Sequence, residues 1–257
     1  MGLTYAQSFL RSHITNKEDM MILEKSPEKA KILAQKDIGT VYGQAKDCIK
    51  KADLVIFAVK PQDAPILFEN LKPEIDPQQV FLSIMAGVKI ESIANALGAT
   101  KVIRAMPNLP AQIGMGMTAF TSSEAVTRIE LVMVQNLLNT TGKTVYVEKE
   151  TAIDAATAVS GSGPAYVWFF MNAMITAAQK MGFNQSEAEL LVSQTFKGAI
   201  DLYNKSELSC EEWIEKVCSR GGTTEAAMRS YRDDAVHDDI IAGAIAALNR
   251  AIELGKN

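Results

Sequence analysis

The sequence predicts an α/β chain, with a doubly wound parallel sheet in its first half and helices alone in its second. Three observations carry this. Up to about residue 149, short apolar runs bounded by polar or turn residues alternate with helical patterns. From Thr151 onward the chain is Ala-rich and periodic at helical spacing. The apolar share, 47% of 257 residues, is enough for a large core and two domains. Strand, helix and strand in repetition give a parallel sheet with helices on both faces, a Rossmann-like layout. The expected domains are 1–149 and 150–257.

The elements follow in order. The chain opens directly in a helical pattern, MGLTYAQSFLRS. A doubly wound nucleotide-binding half should open with a strand and a G-x-G-x-x-G turn, whose glycines let a pyrophosphate approach a helix N-terminus. Gly2 stands where the last of those glycines would be. Roughly ten residues of a first strand are therefore expected ahead of Met1, because a parallel sheet without its central strand leaves buried backbone groups unpaired. Met20 to Leu23 reads as the next strand, and Glu24 ends it 22 residues after Gly2. A carboxylate there can accept from the ribose 2′-OH of NAD. Lys25 and Ser26 can instead hold the 2′-phosphate of NADP, and a plain solvated strand end is a third reading. In SPEKAKILA, Ser26 can cap a helix that has Pro27 at its first position.

Leu54 to Val59, Val80 to Met85 and Lys101 to Met106 are continuous apolar runs that read as buried strands. Each ends in turn-forming or helix-breaking residues: Ala58-Val59-Lys60-Pro61-Gln62, Met85-Ala86-Gly87 and the stretch from Ala105 through Asn108 to Pro110. Ligands of open α/β sheets sit beyond the carboxyl ends of strands, so three such ends at one edge predict a crevice. Gly87 would let the backbone pass close to a flat ring. GMTAF (Gly116 to Phe120) and KTVYV (Lys143 to Val147) can add strands at one edge.

Three long helical segments fill the second half, Thr151 to Gly182, Gln185 to Lys205 and Asp238 to Lys256. In the last of them Ile241, Ala244, Ile245, Leu248 and Ile252 fall on one stripe. Gly161, Gly163 and Pro164 interrupt the first; they read either as a close backbone approach or kink, or as a turn with Pro164 at a helix start. CSRGGTTEAA, Cys218 to Ala227, places a Ser, two glycines and two threonines at another helix start. Bare backbone beside hydroxyls offers N–H donors to an anion at the positive end of a helix dipole, although the same residues suit an ordinary cap.

Charge and composition narrow the function. A net charge of −4, from 26 basic and 30 acidic residues with no basic run, disfavours a nucleic-acid partner. Three cysteines without C-x-x-C spacing read as reduced thiols, and no metal centre is expected. No apolar stretch approaches about 18 residues and no basic-then-apolar leader is visible, so a cytoplasmic protein that does not enter a membrane is expected.

Taken together, AVKPQ, SIMAGV, VIRAMPNLPAQIGMG, DAATAVSGSGPAYVWFF and SRGGTTEAAM resemble pyrroline-5-carboxylate reductases, in register from Gly2 nearly to the C-terminus. The resemblance implies a Rossmann domain followed by a helical dimerisation domain, and hydride transfer from NADPH or NADH to the C5 carbon of the cyclic imine 1-pyrroline-5-carboxylate, giving L-proline. It implies a homodimer or a larger homo-oligomer. The backbone amides of Gly222, Thr223 and Thr224, within the Gly221-Gly222-Thr223 turn, and the Ser219 hydroxyl match the positions that hold the substrate carboxylate. The Thr224 hydroxyl matches the one that reaches the ring nitrogen and is the expected catalytic group. Gly2, Glu24, Lys25, Ser26, Ala58 through Pro61, Met85 through Gly87, and Asn108 are the expected cofactor-binding residues. Arg220, Leu109, Met115 and Ala45 stand where the family usually has Pro, Thr, Glu and Asn.

Two other readings share parts of this pattern. A β-hydroxyacid dehydrogenase has the same architecture but needs a catalytic lysine after a G-x-G-x-x-x-K pattern, and that position is Val167 here. A relative that binds nucleotide or a partner without turnover is the other.

Overall fold

The computed structural model describes residues 1–255. It divides into two compact units, Met1–Ser162 with the chain end from Ala247, and Gly163–Ala246. The first unit is α/β and the second is helical, as the periodicities require.

In the first unit, α1 (Gly2–Arg11) leads into β1 (Met21–Leu23), α2 (Pro27–Ala34) and β2 (Thr40–Tyr42). Then come β3 (Leu54–Phe57), α3 (Ala64–Leu71), β4 (Val80–Ser83), α4 (Ile90–Leu97), β5 (Val102–Met106), β6 (Gly116–Ser122), α5 (Arg128–Asn139), β7 (Gly142–Tyr146) and α6 (Thr151–Ala156). Strand order is β3-β4-β5-β6-β7 in one sheet, and β1-β2 form a second, two-stranded sheet. The single continuous sheet expected from the alternation is thus divided. Among the described residues no strand pairs with the free edge of β1 or of β3.

All neighbouring strands are parallel except β5 and β6. The reason is the connection: only nine residues, Pro107 to Met115, join them, too few for a crossover helix, so the chain returns antiparallel. β6 and β7 lie at one edge, as their sequence suggested.

Side chains alternate across the large sheet and feed two cores. One holds Phe57, Phe81 and Val102 against Ala64, Phe68 and Leu71 of α3 and Ile93 and Leu97 of α4. The other holds Val80, Leu82, Ile103, Ala105 and Phe120 against Tyr5 and Phe9 of α1 and Val134, Leu137 and Leu138 of α5. Covered on both faces, β4 and β5 bury every residue, which is why they read as unbroken apolar runs. Arg104 is the one charged residue among them, 1% exposed.

Helix α5 starts in a reciprocal cap. The Thr127 hydroxyl accepts from the Glu130 N–H, and the Glu130 carboxylate accepts from the Thr127 N–H at 2.8 Å. Lys101 also donates to Glu130, at 2.8 Å. Burial pushes the Glu130 carboxyl up, but the Lys101 ammonium and the Thr127 hydrogen bonds together outweigh it and hold the group below its usual value of 4.5. A carboxyl with a depressed folded-state pKa contributes stability that is complete above its unfolded value and is lost as pH falls through the folded one. Lys101→Met is therefore expected to flatten the acid limb of stability against pH below about 4.5, read by denaturant midpoints from pH 3 to 6.

Following α6, a π-helical turn spans Thr157–Gly161, closed by the Ser162 N–H to the Thr157 carbonyl at 2.9 Å. α7 (Gly163–Lys180) then begins with Pro164 in its first turn, where a missing N–H costs nothing. The glycine-rich stretch is thus both an irregular turn and a helix start. α8 (Gln185–Tyr203), α9 (Cys210–Val217), α10 (Thr223–Asp233) and α11 (Val236–Leu254) follow. α7 buries none of its own residues, and Phe169 is 72% and Ile200 59% exposed. So large an unpaired apolar surface is characteristic of an interface between copies.

Candidate active site

Parallel pairing aligns the carboxyl ends of β3, β4 and β5 along one edge, with Phe57 opposite Ser83 and Ser83 opposite Arg104. The expected strand-end residues Ala58 to Pro61, Met85 to Gly87 and Asn108 follow directly from these ends. Gly2 joins them: a Cβ added to it would lie 2.8 Å from the Ala58 Cβ, so the start of α1 packs against the end of β3 as only a glycine allows. Met1 is the N-cap of α1 and makes no side-chain hydrogen bond there.

The individual side chains qualify this picture. Met85 is 2% exposed and belongs to the core, so it offers backbone only. Gly87 has φ +76°, and the space a Cβ would take is filled by Leu254 at 2.9 Å, so both its left-handed backbone and the C-terminal helix call for a glycine there. The Asn108 side-chain Oδ1 accepts from the Met117 N–H at 2.9 Å, and its Nδ2 donates to the Ser160 hydroxyl at 3.2 Å. At the end of β1, the Glu24 carboxylate accepts from the Ser26 N–H at 2.9 Å, the Ser26 hydroxyl caps α2, and Lys25 lies 3.7 Å from Asp63.

Behind the strand ends lies a buried charge cluster that the sequence reading did not single out. Arg104 donates to Glu150 at 3.0 Å and to Asp154 at 2.6 Å. Glu150 accepts in addition from the Ile90 N–H at 2.8 Å, and the Arg104 Nε is buried without a partner. One arginine in the otherwise apolar VIRAM was the available signal.

In the second unit, the turn before α10 brings together Ser219, Gly221, Gly222, Thr223 and Thr224. The Gly222 N–H closes the turn on the Ser219 carbonyl at 2.9 Å, and the Gly221 N–H donates to the Glu225 carboxylate at 2.7 Å. Gly221 holds φ +72°, and the Ser219 hydroxyl presses on Gly222 where a Cβ would stand. α10 has no side-chain cap, and the amides of Thr223 and Thr224 have no hydrogen-bond partner among the described residues. Two amides without partners among the described residues stand at the positive end of an eleven-residue helix, beside an exposed hydroxyl, and offer donors to an anion. The half-buried Thr224 hydroxyl is likewise unpartnered among the described residues.

A dinucleotide suits strand ends with a close Gly2–Ala58 contact and an exposed turn at Lys60, and the end of β1 carries both a carboxylate, Glu24, and a cation, Lys25. Among the described residues no group of His, Cys, Asp and Glu is arranged to hold a metal, and no helix is long and apolar enough to cross a membrane.

Comparison with known proteins agrees with both halves. A family model described as pyrroline-5-carboxylate reductase dimerisation matches residues 150–254, and one described as NADP oxidoreductase, coenzyme F420-dependent, matches residues 1–87. Pyrroline-5-carboxylate reductase 2 of Bacillus subtilis is 34% identical across 94% of this chain and 87% of its own length. The Pseudomonas aeruginosa pyrroline-5-carboxylate reductase is 34% identical across 89% and 84%. Among solved structures, a pyrroline-5-carboxylate reductase from Coxiella burnetii superposes with TM-score 0.90 at 28% identity, covering 100% of this chain and 95% of that one. The Plasmodium falciparum pyrroline carboxylate reductase with NADP bound gives TM-score 0.89 at 26% identity, over 99% and 94%.

Proposed function

The chain belongs to the pyrroline-5-carboxylate reductase family, and from that premise we propose how its own residues serve the reduction of 1-pyrroline-5-carboxylate to L-proline. NAD(P)H, when bound, supplies the hydride. An imine is already electrophilic, and more so when protonated, so the protein mainly has to position it and orient its polar groups. The amides of Thr223 and Thr224 and the Ser219 hydroxyl take the carboxylate; the Thr224 hydroxyl takes the ring nitrogen as it becomes an amine. The observation that carries this reading is the pair of unpartnered amides at the uncapped start of α10. His13 and His237 stand away from this turn in sequence, and solvent supplies the proton.

Residues 1–149 act as the dinucleotide-binding domain in this proposal, with Gly2, Ala58 to Pro61, Met85 to Gly87 and Asn108 along the dinucleotide and Glu24, Lys25 and Ser26 at its ribose. Residues 150–257 act in dimerisation and substrate binding, supported by the family match to 150–254 and by the exposed apolar face of α7. The acidic charge balance supports a protein that works without nucleic acid, and a cytoplasmic place of work is part of the same proposal.

Purified protein is expected to oxidise NADPH only when pyrroline-5-carboxylate is present, to leave 3-hydroxyisobutyrate untouched because Val167 can neither donate a proton nor polarise a carbonyl, and to sediment as a dimer or larger. Absence of imine-dependent oxidation by folded protein would leave a non-catalytic nucleotide binder. Hydroxy-acid oxidation would make the chain a hydroxyacid dehydrogenase.

A further inference from the structure

We propose that Glu150, held by Arg104, is a positioning residue for the cofactor: it ties the start of α4 to the middle of β5, so that the turns after β4 and β5 keep one mutual geometry. The proposal rests on the reading that these strand ends hold the dinucleotide.

The connections are direct. The Glu150 carboxylate accepts from the Ile90 N–H at 2.8 Å, and Ile90 opens α4 three residues after Gly87. The same oxygen accepts from Arg104 at 3.0 Å, and Arg104 lies four residues before Asn108 on β5. Asp154, one turn further along α6, holds the other guanidinium nitrogen at 2.6 Å. Glu150 therefore bridges the start of α4 and the middle of β5, whereas Asp154 anchors Arg104 to α6 alone.

Stability does not account for the cluster. Arg104 is 1% exposed in a strand that is otherwise apolar, and its Nε is orphaned. Apolar replacement of a buried ion group of this kind is often neutral or stabilising, because desolvation of the charges offsets their attraction. What an apolar side chain lacks is direction. A guanidinium fixed by two carboxylates, one of which also grips a backbone amide, defines distances that packing alone leaves looser.

The test measures NADPH affinity of the full chain by titration calorimetry without imine, with a thermal melt on each preparation. Glu150→Ala is expected to weaken NADPH binding about tenfold or more, a range that ångström-scale misplacement produces. Glu150→Gln, which keeps the accepting oxygen, is expected to restore most of the affinity. Asp154→Asn is expected to lower the melting temperature while the NADPH affinity holds. Should Glu150→Ala fail to fold, the triple variant Arg104→Met, Glu150→Leu, Asp154→Leu removes all three charges together. Weaker NADPH binding at an undiminished melting temperature is the expected result. Native NADPH affinity in folded Glu150→Ala or in the triple variant overturns the proposal. Lys60→Glu, on the exposed turn after β3, separates the two levels. If it weakens NADPH binding while the Glu150 variants do not, positioning alone is wrong; if it too has no effect, the strand-end site falls as well.

Discussion

Replacing Thr224 by alanine is expected to lower kcat/KM for pyrroline-5-carboxylate about ten- to hundredfold while the NADPH affinity stays near that of the unaltered chain. In the proposed function the hydroxyl meets a nitrogen whose character changes from imine to amine along the reaction. Its loss therefore removes an interaction that differs between ground and transition states, and kcat falls along with kcat/KM. The free amides of Thr223 and residue 224 persist in the variant, so the substrate carboxylate still binds. A purely structural Thr224 predicts something else, since a threonine at the second position of α10 that merely favoured the helix start would alter the melting temperature and spare the kinetics. Steady-state kinetics and a melt on one preparation separate the two; unchanged kcat/KM with lowered stability removes Thr224 from the site.

The largest effect on stability is expected from Gly142→Ala. Gly142 opens β7 opposite Gly116 of β6 and has φ +146°, a conformation that side chains rarely adopt. An added Cβ would drive into the backbone of Gly116, lying within 2.6 Å of its carbonyl carbon and closer still to its oxygen and nitrogen. Backbone cannot swing aside as a flexible side chain can, and Gly116 is itself tied to the Thr141 carbonyl at 2.8 Å. Conformational strain and the broken register together are expected to cost about 3–5 kcal/mol, a large part of the roughly 5–15 kcal/mol that holds a typical domain. Gly43→Ala is the control, because nothing lies within 4 Å of its added Cβ. Urea midpoints decide the matter: a Gly142→Ala midpoint equal to that of Gly43→Ala would refute the clash.

Much of this architecture was visible in the sequence where one physical signal dominated. β3, β4 and β5 declared themselves because burial on both faces demands continuous apolar runs, and the helical half through its periodicity. β2 escaped because Thr40–Tyr42 is three residues long and only one of them is strongly apolar. SRGGTT was legible as the start of a helix, α10, where glycines and hydroxyls suit an ordinary cap as well as an anion. Gly87 was legible as a special position, yet the neighbour that requires it, Leu254, is 167 residues away along the chain and no local pattern points to it. Glu150 was invisible for a related reason: a carboxylate at a domain boundary looks solvated until the fold turns it inward onto Arg104.

Burial of every residue in β4 and β5 has a thermodynamic consequence. Strands covered on both faces give way only with the whole core, so the turns that follow them are anchored in the most resistant part of the sheet. A ligand held at those turns would meet backbone that is ordered before it arrives, and little of its binding free energy would go into ordering them.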